Sequence, residues 1–215
     1  MDKPILYGYY RSSAAYRVRL ALNLKGVSVK QIAMNLRQGE QSGAAYMARN
    51  PHGLVPWFQD DHLAFGQSLA IIEYLEEAYP TPALLPKDIV LRAYAREIAC
   101  TIACDIHPLG NLRVLKKLAA DYKESSDGQG AWNRHWMEIG FKAIESRLAQ
   151  TSGTFAIGDT PSLADICIVP QLYNARRFGL DLTPYPHLVR IDAALRLLPA
   201  FIAAAPENQP DFVEG

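Results

Sequence analysis

Asn50-Pro51-His52-Gly53-Leu54-Val55-Pro56-Trp57-Phe58-Gln59-Asp60-Asp61-His62-Leu63-Ala64-Phe65-Gly66-Gln67-Ser68 is the stretch on which the fold turns. A loop ending in Val55-Pro56 runs into the apolar pair Trp57-Phe58. A turn follows at Asp60-Asp61, then a second short apolar run from Leu63 to Phe65, and Gly66-Gln67-Ser68 opens a helix. Proline has no N–H and belongs at the start or edge of a strand, and a tight turn is where an X-Pro bond goes cis. A cis Val55-Pro56 bond would leave the Val55 N–H and C=O pointing out of the sheet, where an extended peptide can pair with them in β-fashion. Ser68, with Gln67 before it, sits where a helix offers unpaired N–H groups and partial positive charge, so a carboxylate is expected to bind there.

Upstream of this stretch, Ile5 to Tyr9 alternates as a strand, and Arg11 to Ala15 is a polar-to-small loop. Arg17 to Lys25 reads as a helix stopped by Gly26, and Val29 to Met34 as a second strand. Downstream, the helix from Ser68 to Tyr79 carries Ile71, Ile72, Leu75 and Tyr79 on one face and Glu73, Glu76 and Glu77 on the other. The order βαβ then ββα is that of a thioredoxin-like half. Tyr79-Pro80-Thr81-Pro82 ends it, with Leu84-Leu85-Pro86 as connector.

From Lys87 onward the pattern is helical throughout. Ile89 to Leu118 reads as one long helix bent at Pro108, which removes a backbone hydrogen bond and clashes with the carbonyl of Cys104. Asp121 to Gly130 reads as a polar loop, Trp132 to about Ala149 as an amphipathic helix, and Ser162-x-x-Asp165 as a capping box opening a mostly apolar helix. A last helix after Pro186 carries Leu188, Ile191, Leu195 and Leu198, and the tail from Asn208 to Gly215 is expected to be loose. The expected architecture is therefore α/β plus all-α: a thioredoxin-like domain over 1–82, an all-helical domain over 87–215, and an active site in the cleft between them.

Composition narrows the function classes. The 215 residues are 49% hydrophobic and 20% charged, with 22 basic and 22 acidic side chains. No basic field favours nucleic acid or an anionic membrane surface. No apolar stretch approaches the roughly 20 residues that span a bilayer, and the N-terminal run lacks a leader-like h-region, so the cytoplasm is the expected location. Cys100, Cys104 and Cys167 are too few for a disulfide scaffold and are expected reduced and buried. Cys100, Cys104 and His107 share helical spacing, but zinc wants four ligands or three and a water, and no fourth ligand is evident, so no metal is expected.

Ser12 and Ser13 lie between a strand end and a helix start, where a hydroxyl and the first helical N–H groups can point at one anion. A thiolate placed there would be stabilised. Helix capping alone would account for these serines; the Val55-Pro56 loop and the Gln67-Ser68 pair in the same domain favour a binding role. Tyr7 and Tyr9 are rival thiol activators, although their place on the strand suits core residues. Asp165 reads as a capping-box residue and not as a catalytic acid.

A cis-proline loop, a hairpin and Gln-Ser at a helix start resemble the glutathione site of the glutathione transferases. Arg11-Ser12-Ser13-Ala14-Ala15-Tyr16-Arg17-Val18-Arg19 resembles the serine-rich signature of the zeta class, which includes maleylacetoacetate isomerases and bacterial maleylpyruvate isomerases. Cys104-Asp105-Ile106-His107-Pro108, Gly158-Asp159-Thr160-Pro161-Ser162-Leu163-Ala164-Asp165, Arg176-Arg177-Phe178 and Asp181-Leu182-Thr183-Pro184-Tyr185-Pro186 extend the likeness over nearly the whole chain. Ala14 departs from it, standing where many zeta enzymes carry cysteine, so any role of that thiol lapses here.

The resemblance implies glutathione as cofactor and the cis-trans isomerisation of a maleyl keto-acid, maleylacetoacetate first and maleylpyruvate as the alternative. A general transferase or glutathione-binding protein without isomerase activity is the further alternative. Ser12, Ser13 and Arg11 would form the catalytic group. Val55 would pair with the cysteinyl part of glutathione, Gln67 and Ser68 would hold the γ-glutamyl carboxylate, and Gln41 would meet the glycine end. His107 and Asn111 would touch glutathione from the helical domain. Planar guanidinium forks suit carboxylates, and Arg11 and Arg177 are implied near the substrate, with Arg113 and Arg176 as further candidates. Arg17 and Arg19 are left as structural ion-pair residues. The resemblance also implies a homodimer.

Overall fold

The computed structural model describes residues 3–214; Met1, Asp2 and Gly215, and with them the two outer domain limits expected above, lie outside the described residues. The chain forms two compact units, one running to Leu84 and resuming at Arg196, the other Leu85–Leu195.

The first unit is built on a four-stranded sheet. Its elements in order are β1 (Ile5–Gly8), α1 (Ser13–Leu24), β2 (Lys30–Ala33), a 3-10 turn at Glu40–Ser42, the single-turn α2 (Ala44–Met47), β3 (Trp57–Gln59), β4 (Ala64–Gly66) and α3 (Ser68–Ala78). The strand order is β2-β1-β3-β4, with β1 parallel to β2 and antiparallel to β3. The period of two along β1 divides the core. Ile5 and Tyr7 join Ile32 and Trp57 in a cluster with Met34 and Tyr46. Leu6 pairs with Phe58, and Phe58 and Phe65 both pack against Tyr74 of α3. This is the thioredoxin-like arrangement expected from the βαβββα order.

α1 is buried from Ser13 to Leu22, so it begins four residues before the apolar run suggested. Its end at Lys25 is tied down: the buried ammonium meets Glu76 Oε2 at 2.7 Å and donates to the Tyr79 and Pro82 carbonyls at 2.6 and 2.9 Å. That cation holds the proline-rich exit from α3, where Thr81-Pro82 is cis.

The second unit is helical: α4 (Ile89–Cys100), a π-helical turn at Thr101–Ile106, α5 (Leu112–Tyr122), α6 (Ser126–Thr151), α7 (Leu163–Arg177) and α8 (Pro186–Leu195). The long bent helix expected over 89–118 is instead broken. Pro108 cannot donate to Cys104, and the preceding residues widen into i→i+5 bonding, with His107 N–H on Ile102 O at 2.9 Å. This turn packs on α6 at Gly140, where a Cβ would lie 2.3 Å from Ile106 Cδ1. The loop expected over 121–130 is also shorter. α6 starts at Ser126, because Ser125 Oγ accepts the Gly128 N–H at 3.0 Å and offsets two glycines in the first turns.

α7 is buried from Leu163 through Leu172 and forms the centre of this unit. Asp165 opens it as expected: its carboxylate accepts the Ser162 N–H and O–H, each at 2.8 Å, and reaches beyond the box to the Ala156 N–H at 2.9 Å. Cys167 is buried, but Cys100, at the end of α4, and Cys104, in the widened turn, are exposed, contrary to expectation.

The far end of the chain departs most from its sequence reading. α8 ends at Leu195, and Leu198 is the N-cap of a separate helix, α9 (Pro199–Ala204), which packs on α1 in the first unit. The residues from Arg196 onward, assigned by sequence to the helical domain, therefore belong with the sheet. The tail is anchored and not loose: Gln209 is buried and Asp211 accepts the Tyr10 N–H at 2.9 Å. Among the described residues no helix is long and apolar enough to cross a membrane.

Candidate active site

Ser12 is the N-cap of α1, with extended backbone and its Oγ accepting the Ala15 N–H at 3.2 Å. Its own N–H closes a turn onto Tyr9 O at 3.0 Å. Capping occupies an oxygen lone pair and leaves the hydroxyl proton as a donor, so capping and anion binding are compatible in the same side chain. Ser13 is buried as the first helical residue, and its N–H is among the orphan donors of the helix start. Arg11 stands beside them with its guanidinium 5.9 Å from the Tyr10 ring.

The rival tyrosines are core residues. Tyr7 packs on Tyr46 and lies under the Arg49 guanidinium. Tyr9 is buried beside Tyr10, and burial together with that neighbour pushes its phenol up to about 12. A phenol held protonated that firmly is a poor base for a thiol.

The Val55-Pro56 bond is cis, and the β3 ladder begins one residue later at Trp57, so the Val55 main chain stands outside the sheet pairing. The preceding carbonyl is fixed from two sides: Leu54 O accepts Tyr46 Oη and Asn50 Nδ2, each at 2.7 Å. Gly53, at φ +59°, makes the turn possible, and a Cβ there would press on Met47 Sδ at 2.9 Å and on Gln41 O at 3.2 Å. Gln41 is thereby packed against the proline loop. Its Oε1 is buried with no hydrogen-bond partner among the described residues, an acceptor suited to a donor from a ligand.

Gln67 takes φ +73° immediately before α3, a costly backbone for a side chain other than glycine. Ser68 is buried behind it as the first residue of that helix. Its Oγ accepts Arg17 Nη1 at 2.9 Å, and Arg17 is only 1% exposed. A guanidinium under the N-terminus of α3 adds charge to the dipole there, and both favour a bound carboxylate. Arg17 is thus no simple ion-pair residue. Its bond to Ser68 was missed, although two arginines inside an otherwise apolar helical run signal buried polar work. Arg19 likewise binds main-chain carbonyls, those of Tyr9, Tyr10 and Ala204.

Within the first unit the described geometry thus offers three features that would suit glutathione, the tripeptide implied above: a capped helix start at Ser12, main chain outside the ladder at Val55, and a helix start at Ser68 with a buried guanidinium beside it. The residues present fit that tripeptide. An opening of about 580 Å³, lined among others by Tyr9, Tyr10, Arg37, Glu40 and Val213, lies beside the first of them.

In the second unit, His107 closes the π-helical turn. Asn111 caps α5, its Oδ1 accepting the Arg113 N–H at 3.1 Å. Arg113 is exposed on the first turn of α5. Arg176 is engaged, its Nη2 2.6 Å from Asp192 Oδ2, and that carboxylate is 1% exposed. Arg177 reaches Asn174 Oδ1 at 2.8 Å and lies over the Phe178 ring at 4.5 Å. Among the described residues no group of three or more His, Cys, Asp or Glu side chains could hold a metal.

The profile of the glutathione S-transferase N-terminal domain matches residues 6–83 and that of the C-terminal domain residues 140–204. The chain belongs to the glutathione S-transferase family. A probable maleylacetoacetate isomerase of Vibrio cholerae is 49% identical over 96% of this chain and 97% of its own length. Among solved structures, the holo form of a maleylpyruvate isomerase described as a bacterial zeta-class enzyme matches with a TM-score of 0.95 at 45% identity, over 97% of this chain and 100% of that one. The maleylacetoacetate isomerase of Anaeromyxobacter dehalogenans 2CP-1, solved with dicarboxyethyl glutathione and citrate in its active site, matches with a TM-score of 0.87 at 44% identity, over 97% of both chains. Within the family this chain is of the zeta class, as the serine-rich run implied.

Proposed function

We propose that this chain is a glutathione-dependent cis-trans isomerase that converts maleylacetoacetate to fumarylacetoacetate. The observation that carries this is the Ser12 hydroxyl capping α1 with its proton left to donate, in a chain alike over its full length to maleyl isomerases. Bound glutathione supplies a thiolate that adds reversibly to the conjugated double bond, so that the bond can rotate.

The chain's own residues do the rest. The Ser12 hydroxyl would donate a hydrogen bond to the thiolate sulfur, and the first N–H groups of α1, that of Ser13 among them, would add their partial charge. The Val55 main chain pairs with the peptide, Gln67 and Ser68 take the γ-glutamyl carboxylate with Arg17 beneath, and Gln41 meets the glycine end. His107 and the Asn111 amide contribute from the helical unit. Arg11, Arg113 and Arg177 hold the carboxylates of the keto-acid and the negative charge that develops on its carbonyl. Arg176, committed to Asp192, is the weakest of the four arginine candidates. A homodimer in the cytoplasm, serving aromatic amino acid catabolism, completes this reading.

Maleylpyruvate is the second substrate to be weighed, favoured by the TM-score of 0.95 to a maleylpyruvate isomerase. Both molecules present a maleyl carboxylate next to a conjugated carbonyl. An ultraviolet assay with each, with and without glutathione, separates them. Fast glutathione-dependent loss of the maleyl absorbance of maleylacetoacetate is expected. Faster turnover of maleylpyruvate would reassign the substrate, and conjugation of a chlorinated aromatic acceptor without isomerisation of either would sink the isomerase reading.

A further inference from the structure

The tail after α9 is bound first to the end of α9 and then to the turn that carries Ser12. Gln209 is 6% exposed, and its Nε2 donates to Ala203 O and Ala205 O, each at 2.9 Å, closing the C-terminal end of α9. Asp211 Oδ2 accepts the Tyr10 N–H at 2.9 Å, the Phe212 ring stands edge-on to the Tyr10 ring at 5.5 Å, and Tyr10 Oη donates to Val213 O at 3.3 Å.

Arg19 meets the same turn from α1. Only 4% exposed, it donates to Tyr10 O at 2.9 Å, Tyr9 O at 3.4 Å and Ala204 O at 3.1 Å. The main-chain N–H of Tyr10 therefore rests on a carboxylate and its C=O on a guanidinium, both charge-assisted and so stronger than ordinary peptide bonds to peptide. Tyr9 O also accepts the Ser12 N–H, which makes Ser12 one bond removed from Arg19. Asp211 and Arg19 both line a cavity of about 60 Å³ beside this turn. The other charged groups acting on it are Arg11 and Arg37, both felt by the Tyr9 phenol. A turn of four residues loses local stability without such anchors.

We propose that Asp211 and Arg19 are positioning residues for the thiolate site: they clamp the Tyr10 peptide and so fix where the Ser12 hydroxyl and the first N–H groups of α1 point. This rests on the glutathione reading above. Misplacing a donor by about 1 Å can cost about a hundredfold in rate, so a clamp far along the chain can act through Ser12 without touching substrate.

The test compares D211L with D211N in the full chain. The asparagine amide oxygen can still accept the Tyr10 N–H; leucine cannot. In the protein without glutathione, hydrogen exchange at Tyr10 to Ser13 is expected to quicken about tenfold or more in D211L and to stay near wild type in D211N. With glutathione bound, the thiolate absorbance is expected to titrate about one pH unit higher in D211L than in wild type. Turnover should fall about ten- to a hundredfold with the KM for the keto-acid little changed, again with D211N close to wild type. A chain stopped at Pro210, which removes the acceptor but keeps Gln209, replaces D211L should that variant fail to fold.

Unchanged amide exchange and an unchanged thiolate midpoint in D211L would overturn the clamp, as would D211N being as impaired as D211L. A wild-type protein that binds no glutathione would overturn the site reading instead, while the exchange comparison would still judge the clamp.

Discussion

Ser12→Ala removes two things at once: the acceptor for the Ala15 N–H and the hydroxyl donor. Loss of the cap is worth about 1 kcal/mol of stability, whereas loss of one donor to a developing or stabilised anion is worth about ten- to a thousandfold in turnover. Turnover is therefore expected to fall far more than stability or glutathione affinity. Steady-state rates beside calorimetric binding check this, and near-normal turnover would move the role to Ser13 and the α1 N–H groups. At this scale the local geometry of the candidate site was half legible. Ser12 as a cap and Ser68 as a helix start were readable because helix starts are announced by their immediate neighbours. Arg17 under Ser68 and Asp211 on Tyr10 were not, because those bonds join residues 51 and 201 positions apart, and nothing local to either partner reports the other.

Among the elements, the π-helical turn packs closely on α6. A methyl at Gly140 would meet Ile106, a stiff β-branched side chain buried in the same unit. Gly140→Ala gains about 1 kcal/mol of helix propensity but overpacks by about 1–3 kcal/mol. A net loss of stability is expected, checked by denaturant unfolding; a more stable variant would show that the contact yields. The start of α7 responds to pH. Burial pushes the Asp165 carboxyl up to about 6, outweighing the three donors that hold it. Since the folded value lies above the unfolded 3.8, the folded state takes up a proton first, and this group's contribution to stability grows as pH falls. Between about pH 7 and about pH 5 the gain is about 1 kcal/mol relative to D165N. A flat or opposite trend in paired unfolding curves would refute it. Helix existence was legible from periodicity, and helix ends were not: Ser125 started α6 inside a glycine-bearing stretch read as loop, and Pro108 spread its effect backward over six residues instead of making one bend.

At the scale of the whole molecule, the fold class followed from the βαβββα order and the strand-free remainder, both properties of long windows. The assignment of residues 196–214 did not follow, because α9 looks like one more amphipathic helix and only its packing on α1 shows which unit it completes. The homodimer proposed here predicts a light-scattering mass of twice the 23.9 kDa chain; a stable monomer at working concentrations would contradict it.

The return of α9 and its tail to the sheet bears on how this protein is born. During synthesis the thioredoxin-like unit emerges first, yet the residues that cover α1 and fasten the Tyr10 turn are made only after all of Leu85–Leu195. Contacts so distant along the chain are slow to close, and N-terminal parts otherwise tend to fold first on the ribosome. On the nascent chain, then, the helical unit can finish while its elder neighbour waits, and the turn bearing Ser12 should be among the last parts of the protein to set.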